Sequence, residues 1–391
     1  MQIRGTICGY DEPSVIEVKE GLIAAVTPQG GRLPARPEAL GGADCLIAPA
    51  LLDIQVNGFA GHDLNGSAVT AEDVSALTRA LHQAGTGLYC ATVVTGPRER
   101  MLRSLRAIAE ACQEPDAAAA VVGIHLEGPY ISAEDGPRGA HPAEHVRDPD
   151  WDEFLMFQDA AGGRIRIVTL APERAGAIRF IERLARAGIV PALGHTSADA
   201  GTIQAAVRAG AKLSTHLGNG AHAVLPRHPN YIWEQLATDE LWASIVPDGH
   251  HLPPSVVKCF VRCKGPERTI LVSDAVHWAG LPPGEYRHEG RAVELTPEGR
   301  IQLKGTPYLA GSALELRRGV GNAVRFAQVP LSQALDMASL NPAKLLGVAG
   351  RLGTVAAGKE ASLLVFRWDE REREVRVQHV IVRGELVYSA P

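Results

Sequence analysis

The chain has 391 residues and a formal net charge of −5, and 46% of its residues are apolar while 21% are charged. This length suits one large domain with a smaller accessory module, and the composition is that of an ordinary globular protein. The small charge, without long runs of one sign, argues against nucleic acid or a membrane surface as the main partner. We expect no signal peptide and no bilayer-spanning segment, and the six scattered cysteines indicate reduced thiols in a cytoplasmic protein.

Short strands separated by tight turns are predicted at both ends of the chain. The N-terminal part contains the runs QIRGTIC, SVIEV and GLIAAV, and the C-terminal part contains ASLLVF, VQHVIV and ELVYS. Isolated hairpins are only marginally stable in water, so we expect the two ends to pair into one small β-sandwich. This pattern predicts a small domain of residues 1–50 and 350–391 and a larger domain of residues 51–349.

Between the two ends, short apolar runs alternate with amphipathic helical stretches. The runs cover residues 51–56, 88–94, 121–126, 165–170, 189–193, 212–216, 243–246 and 269–273. Strands buried on both faces that alternate with helices indicate a parallel sheet. Eight such strands fit a closed (β/α)8 TIM barrel better than an open sheet, although periodicity alone is also compatible with an open doubly wound sheet. The segment EYRHEGRAVELTPEGRIQL predicts a hairpin inserted before the last helix, which should begin near residues 311–312.

Polar side chains follow four of the predicted barrel strands. They are Glu127, His195, His216 and Asp274. Singly, such an Asp or Glu is commonly a helix cap or a turn former, and a lone histidine is more often a surface residue than a ligand. A barrel, however, brings the carboxyl ends of its strands together around one mouth, so their joint occurrence predicts a single site.

The types of these four side chains point to metal-assisted hydrolysis. Two neutral imidazoles and one carboxylate, from His195, His216 and Glu127, would hold one divalent ion and leave a position for water. The ion would lower the pKa of that water and polarise a carbonyl group. Asp274 could then act as general base and afterwards as general acid. Zinc suits these ligands first, and iron, cobalt or manganese could occupy them as well.

Other mouth loops carry groups suited to binding an anion. The segment HLGNGAH, which contains Asn219 and Gly220, is rich in glycine directly after a strand, so its backbone N–H groups could approach an anion closely. Arg227 and His251 lie in the next loops and would suit a phosphate, although an isolated loop arginine is more often a solvated charge. His141, in the long loop after the third strand, could hold the substrate.

Gln55 and Asn57 occupy positions where a metal-dependent hydrolase often carries His-x-His. They alternate in the stretch DIQVNG, so both should point into the barrel mouth. Carboxamides are poor ligands for transition metals but good hydrogen-bonding groups. We therefore predict one divalent metal per subunit and treat Gln55 and Asn57 as vacant positions for a second metal.

Six motifs together resemble the N-acetylglucosamine-6-phosphate deacetylase family of the amidohydrolase superfamily. They are HLEGPYIS, GHTSAD, THLGNGA, DGHHL, LVSDA and the tail NPAKLLGVAGRLGTVAAGKEASLLVF. The resemblance implies that Glu127, His195 and His216 bind the metal and that Asp274 is the catalytic acid and base. It further implies that the sugar phosphate is bound by Asn219, Arg227 and His251, with His141 contacting the substrate. In the family the arginine reaches the neighbouring subunit's site, which implies a homodimer.

The sequence departs from the family at the loop after the sixth strand. The family usually has Asn-Ala-Met after a bulky residue, whereas this chain has Gly218-Asn219-Gly220-Ala221, which predicts a roomier or more flexible loop. Alternative substrates therefore stay open, namely N-acetylgalactosamine 6-phosphate, an unphosphorylated N-acyl amino sugar or an N-acyl amino acid. A non-catalytic scaffold is a further alternative, and the intact ligands and Asp274 argue against it.

Overall fold

A computed structural model describes residues 1–30, 38–288, 290–305 and 309–391. Residues 31–37 of the predicted terminal module and Glu289 of the predicted hairpin lie outside the described residues. Within these ranges no helix has both the length and the apolar character needed to cross a membrane.

The strands are numbered along the chain. They are β1 (Gln2–Ile7), β2 (Pro13–Lys19), β3 (Leu22–Pro28), β4 (Leu40–Pro49), β5 (Leu51–Val56), β6 (Gly58–Phe59), β7 (His62–Asp63), β8 (Thr86–Val94), β9 (Val121–Glu127), β10 (Ile165–Leu170), β11 (Val190–Leu193), β12 (Leu213–Ser214), β13 (Trp242–Ile245), β14 (Thr269–Leu271), β15 (Gly284–His288), β16 (Arg291–Leu295), β17 (Arg300–Leu303), β18 (Leu309–Ser312), β19 (Leu363–Asp369), β20 (Glu374–Val382) and β21 (Glu385–Ser389).

The helices follow the same order. They are α1 (Ala71–Gln83), α2 (Arg98–Ala111), α3 (Pro115–Ala120), α4 (Trp151–Ala160), α5 (Ala177–Arg186), α6 (Ala200–Arg208), α7 (Tyr231–Ala237), α8 (Pro254–Lys264), α9 (Leu316–Ala327), α10 (Leu331–Met337) and α11 (Leu340–Leu345). Local chemistry sets several starts: Thr70 and Asp73 form a capping box before α1, and Asp199 accepts from the Thr202 N–H at the start of α6.

Both ends of the chain contribute to one seven-stranded sheet. Its order is β21-β20-β19-β4-β1-β2-β3, and the N- and C-terminal parts join where β4 runs antiparallel to β19, with Pro49 opposite Leu363. Alternate residues of these strands, such as Ile3, Ile47 and Leu363, form one buried cluster. The predicted small β-domain built from both termini is therefore confirmed, while the exact domain bounds 1–50 with 350–391 and 51–349 stay a prediction.

Eight parallel strands form the barrel. Their order is β5-β8-β9-β10-β11-β12-β13-β14, and these are the eight runs predicted from the sequence. Every residue of β5 is buried, as expected for a strand covered on both faces. The helices present apolar stripes to this sheet, as α5 does with Phe180, Ile181 and Leu184. The (β/α)8 prediction is confirmed.

The insertion after β14 is larger than the predicted hairpin. Strands β15 to β18 form a four-stranded antiparallel sheet, and Trp278 packs against its apolar side chains Val293, Leu295 and Ile301. Residues 309–312 belong to the fourth strand, so α9 begins at Leu316 rather than near residues 311–312. The strand that was not predicted, β18, is too short for an alternation of apolar and polar residues to be recognised.

The first and last barrel strands meet at a seam beside the mouth. The Asp274 N–H donates to Gln55 O over 3.0 Å. The buried Asp53 carboxylate accepts from the Ser273 N–H at 3.2 and 3.3 Å and from the Gln55 N–H at 3.1 Å. A side chain thus supplements the backbone hydrogen bonds between β5 and the segment after β14, and it brings Gln55 close to Asp274.

Candidate functional site

The three predicted metal ligands meet at the mouth of the barrel. The Nε2 atoms of His195 and His216 lie 2.9 and 3.0 Å from Glu127 Oε1 and 3.0 Å from each other. The ligand atoms of a tetrahedral zinc site with bonds of about 2.0 Å stand about 3.3 Å apart. All three side chains are buried. The triangle is therefore close to the spacing that such an ion imposes.

The backbone beyond the strand ends aims these side chains into the mouth. Glu127 is the last residue of β9, whereas His195 and His216 follow β11 and β12 after one intervening residue each. His195, His216 and Asp274 have φ values of +51°, +30° and +51°, in the left-handed region that residues with side chains rarely adopt. Such conformations persist where the surroundings enforce them and cluster at functional sites.

His141 joins the same cluster from the loop after β9. Its Nε2 lies 3.8 Å from Glu127 Oε1, and possible ligand atoms of Glu127, His141 and His195 all lie within 4.8 Å of one another. Burial, followed by the neighbouring His195, lowers the pKa of His141 to about 4. Its imidazole is therefore neutral near pH 7 and has a lone pair available, so this predicted substrate contact is also within reach of a metal.

The electrostatics of the cluster fit a divalent cation. Burial alone would raise the pKa of Glu127, but hydrogen bonds with His141, His195 and His216 hold it well below its usual range. The carbonyl of Pro137 lies 2.9 Å from His195 Nδ1, which assigns the proton to Nδ1 and leaves the Nε2 lone pair facing Glu127. The Nε2 lone pair of His195 and the Glu127 carboxylate face one point and need a positive charge between them, so this donor set fits a divalent metal.

Gln55 and Asn57 lie beside the cluster and hold its carboxylates. Gln55 Nε2 donates to Glu127 Oε2 over 3.1 Å, and Asn57 Nδ2 donates to Asp274 Oδ1 over 2.7 Å. The carboxamide oxygens of Gln55 and Asn57 have no hydrogen-bond partner among the described residues. Each side chain thus directs its N–H donor at a carboxylate, in keeping with a hydrogen-bonding role rather than a ligand role.

Asp274 is buried at the mouth in an environment that raises its pKa. Burial is the larger cause and the negative charge of Glu127 the next, and together they raise the pKa to about 6 against the opposing effects of His216, His251 and the Asn57 amide. A carboxyl group that titrates this close to neutrality can both accept and return a proton under ordinary conditions.

Asp248 orients His251 toward this region. The His251 Nδ1 atom lies 2.6 Å from Asp248 Oδ2, and Asp248 Oδ1 accepts from the backbone N–H groups of His250 and His251 at 2.8 and 2.7 Å. With Nδ1 bonded to the carboxylate, the other ring nitrogen of His251 is free to face the mouth. Sequence analysis named His251 but missed Asp248, although both lie in the motif DGHHL.

The glycine-rich loop after β12 is closely packed. A Cβ atom on Gly220 would lie 2.6 Å from His195 Nδ1, and one on Gly218 would lie 3.0 Å from Leu252 Cδ2. The Asn219 side-chain amide donates to His216 O over 3.3 Å. The structure thus differs from the expected roomier loop. The glycines let neighbouring side chains approach the backbone closely, so the space that a side chain would occupy is already filled.

Arg227 is the predicted site residue that stays apart from the cluster. It is exposed on the loop after β12 and makes no hydrogen bond or ion pair with the part of the chain that the structure describes. Its guanidinium group is therefore available to a ligand or to another molecule.

Two buried residues below the mouth were missed by sequence analysis. His125 lies between Ile54 O, 3.0 Å from its Nδ1, and Thr169 Oγ1, 2.7 Å from its Nε2. Asp53 supports the seam, and burial raises its pKa to about 7. Each lies two residues before a recognised site residue, so the two-residue period of a strand was the signal that could have found them.

Comparisons with known proteins agree with this geometry. Residues 270–387 match the Amidohydrolase family. N-acetylgalactosamine-6-phosphate deacetylase of Escherichia coli is 32% identical over 97% of this chain and 96% of its own length. N-acetylglucosamine-6-phosphate deacetylase of Bacillus subtilis is 32% identical over 95% and 92%, respectively. The solved structure of N-acetyl-D-glucosamine-6-phosphate deacetylase from Mycobacterium smegmatis has a TM-score of 0.87 at 31% identity and covers 99% of this chain and 100% of its own. The chain therefore belongs to the N-acetylglucosamine-6-phosphate deacetylase family of the amidohydrolases.

Proposed function

We propose that the protein hydrolyses the N-acetyl amide of N-acetylglucosamine 6-phosphate, giving glucosamine 6-phosphate and acetate. The observation that carries this proposal is the convergence of Glu127, His195 and His216 beside Asp274. Relatives from Bacillus subtilis and Vibrio furnissii, 32% and 31% identical, are named for this substrate.

In the proposed site Glu127, His195 and His216 hold one divalent metal, with His141 close enough to assist. The metal, zinc first and iron, cobalt or manganese otherwise, supplies Lewis acidity toward the amide carbonyl and the attacking water. The hydrogen bonds Gln55–Glu127 and Pro137–His195 orient two of the ligands, since partners behind the ligands fix their direction.

Asp274 carries the proton in the proposed reaction. Its ionised carboxylate takes the proton of the attacking water, and the resulting carboxylic acid gives it to the departing sugar amine. The Asn57 amide, 2.7 Å from Oδ1, keeps one carboxylate oxygen in place, which leaves the other for the proton. A pKa of about 6 allows both steps near neutral pH.

Recognition of the sugar phosphate is assigned to the mouth loops. The backbone at Asn219 and Gly220 and the imidazole of His251 would bind the anion, and His141 would contact the acylated sugar. Arg227 would complete the phosphate site of a neighbouring subunit in a homodimer. Val224 and Trp233, which are close to Arg227 in the sequence, are 87% and 55% exposed, and large exposed apolar side chains on one segment suit a protein contact.

A cytoplasmic location is part of the proposal. All six cysteines are free, although Cys45, Cys90 and Cys112 are buried, as is typical of proteins kept in a reducing compartment.

N-acetylgalactosamine 6-phosphate is the second candidate substrate. Relatives from Escherichia coli and Shewanella, 32% and 33% identical over 97% of this chain, are named for it. The two sugars differ only in the orientation of one hydroxyl group, so the same metal, acid/base and phosphate contacts would serve either one.

Steady-state kinetics on four sugars test the proposal. The metal-loaded protein is assayed with N-acetylglucosamine and N-acetylgalactosamine, each with and without the 6-phosphate. We expect kcat/KM to be highest for N-acetylglucosamine 6-phosphate and to drop sharply without phosphate, and we expect Arg227→Ala to remove most of that difference. Asp274→Asn should retain the metal and lose activity. Equal rates with and without phosphate would remove the phosphate site, and hydrolysis of none of the four sugars would leave the scaffold alternative.

A further inference from the structure

Two mouth loops close against each other over the outer edge of His195. We call residues 128–142 the β9 loop and residues 216–230 the β12 loop. Pro137 of the β9 loop places its carbonyl 2.9 Å from His195 Nδ1. Gly220 of the β12 loop lies so close that a Cβ atom there would be 2.6 Å from the same nitrogen. The ring of a proposed metal ligand is thus enclosed by both loops.

The two loops also touch each other through their backbones. A Cβ atom on Gly136 of the β9 loop would lie 2.9 Å from His222 Cα and 3.2 Å from Ala221 O in the β12 loop. Contacts shorter than about 3 Å are not available to a residue with a side chain, so this approach depends on glycine. Neither loop can therefore move far without the other.

A hydrogen-bonded bridge joins the loops beside these contacts. Glu134 Oε2 lies 3.1 Å from His222 Nε2, and Glu134 Oε1 accepts from Ser197 Oγ over 2.8 Å. The Tyr231 hydroxyl accepts from the His222 N–H over 2.8 Å and lies 3.0 Å from His222 Nδ1. With a proton on Nε2, the His222 ring donates to Glu134, and its Nδ1 accepts from the Tyr231 hydroxyl, so every group in the bridge has a partner.

We propose that Glu134 and His222 are positioning residues that latch the β9 loop to the β12 loop. The latch keeps Pro137 and Gly220 against the ring of His195 and holds the backbone after Asn219 at the place assigned to the phosphate. It acts through the loops, and it rests on the proposed function only in assigning His195 to the metal and the β12 loop to the phosphate. His222 directly follows Gly220 and Ala221 in the β12 loop, the stretch where this chain departs from the Asn-Ala-Met pattern of the family.

A double-mutant cycle tests the latch. The variants are Glu134→Ala, His222→Ala and their combination, with Glu144→Ala as the control because Glu144 is an exposed carboxylate just beyond the same loop. Two readouts are measured: the zinc dissociation constant of the metal-free protein, by competition with a chelator, and KM and kcat for N-acetylglucosamine 6-phosphate.

Each single variant should weaken zinc binding and raise KM by about two- to fivefold, the lower part of the range expected for a single hydrogen bond, with a smaller change in kcat. The double variant should be no worse than either single one, because both remove the same contact. Glu134→Gln keeps an acceptor and should retain most of the wild-type values, and the Glu144→Ala control should match wild type.

Additive losses, or wild-type zinc affinity and KM in both single variants, would overturn the latch. A wild-type protein that binds zinc but does not hydrolyse the sugar phosphate would contradict the proposed function instead. In that event the zinc cycle still decides the latch, because it needs no turnover.

Discussion

Substituting Gly220 by alanine tests how strongly activity depends on the close approach between the β12 loop and His195. Gly220 has a φ of +56°, and its added Cβ would lie 2.6 Å from His195 Nδ1 and 2.9 Å from Cε1. The left-handed conformation alone costs an alanine about 1–2 kcal/mol. The ring cannot retreat without losing the 2.9 Å contact between Nδ1 and Pro137 O, so either the ring or the loop is displaced.

Either displacement moves a group that the proposed reaction uses. We therefore expect Gly220→Ala to reduce kcat/KM on N-acetylglucosamine 6-phosphate by about 5- to 30-fold, which corresponds to 1–2 kcal/mol. The matched control is Gly188→Ala, where φ is +73° but nothing lies within 4 Å of the added Cβ. The control carries the left-handed strain without the contact, so it should be less stable yet fully active. Wild-type kcat/KM in Gly220→Ala, or an equal loss in Gly188→Ala, would refute the reasoning.

Three further outcomes follow from the site. The pKa of Asp274 is raised to about 6, so the basic form of this carboxyl group is lost as the pH falls through that value, and a bound cation lowers the pKa further. The pH–rate profile should therefore show an acid limb at or below about pH 6. An acid limb above about pH 7 would contradict this assignment. Asp53→Ala leaves the buried N–H groups of Gln55 and Ser273 without their acceptor. This loss should reduce the free energy of unfolding, measured in urea, by about 2–6 kcal/mol. A reduction below about 1 kcal/mol would show that the seam does not need this carboxylate. Replacing both Gln55 and Asn57 by histidine should raise the zinc content from one to two ions per chain in elemental analysis, whereas two ions in the wild type would contradict the one-metal prediction.

The eight barrel strands and their polar ends could be predicted because their signals are local. A buried strand is an apolar run of a few residues, and the residue that leaves it is next in sequence. Glu127, His195, His216 and Asp274 were therefore recognisable one at a time, and the geometry of a barrel supplied their convergence.

Contacts between loops and across the seam were not predictable in the same way. Glu134 and His222 lie far apart in the chain and meet beside the point where Gly136 lets two backbones approach closely. Asp53 looks like an ordinary strand residue until β5 meets the segment after β14. Gly220 was expected to give a roomier or more flexible loop. A glycine is, however, compatible with both free space and tight packing, and the sequence does not show that the His195 ring lies against it.

The sheet shared by both chain ends has a consequence for the protein's synthesis. The partners Pro49 and Leu363 are separated by roughly 300 residues. Ribosomes add about 5–20 residues per second, so β19 is synthesised roughly 15 to 60 seconds after β4, and the edge of β4 stays unpaired for that time. During that interval the whole barrel emerges and can fold, while the N-terminal strands expose unpaired backbone groups. Strand β19 is thus made long after the strand edge that it covers, and a chain truncated before β19 would leave that edge available to other nascent chains.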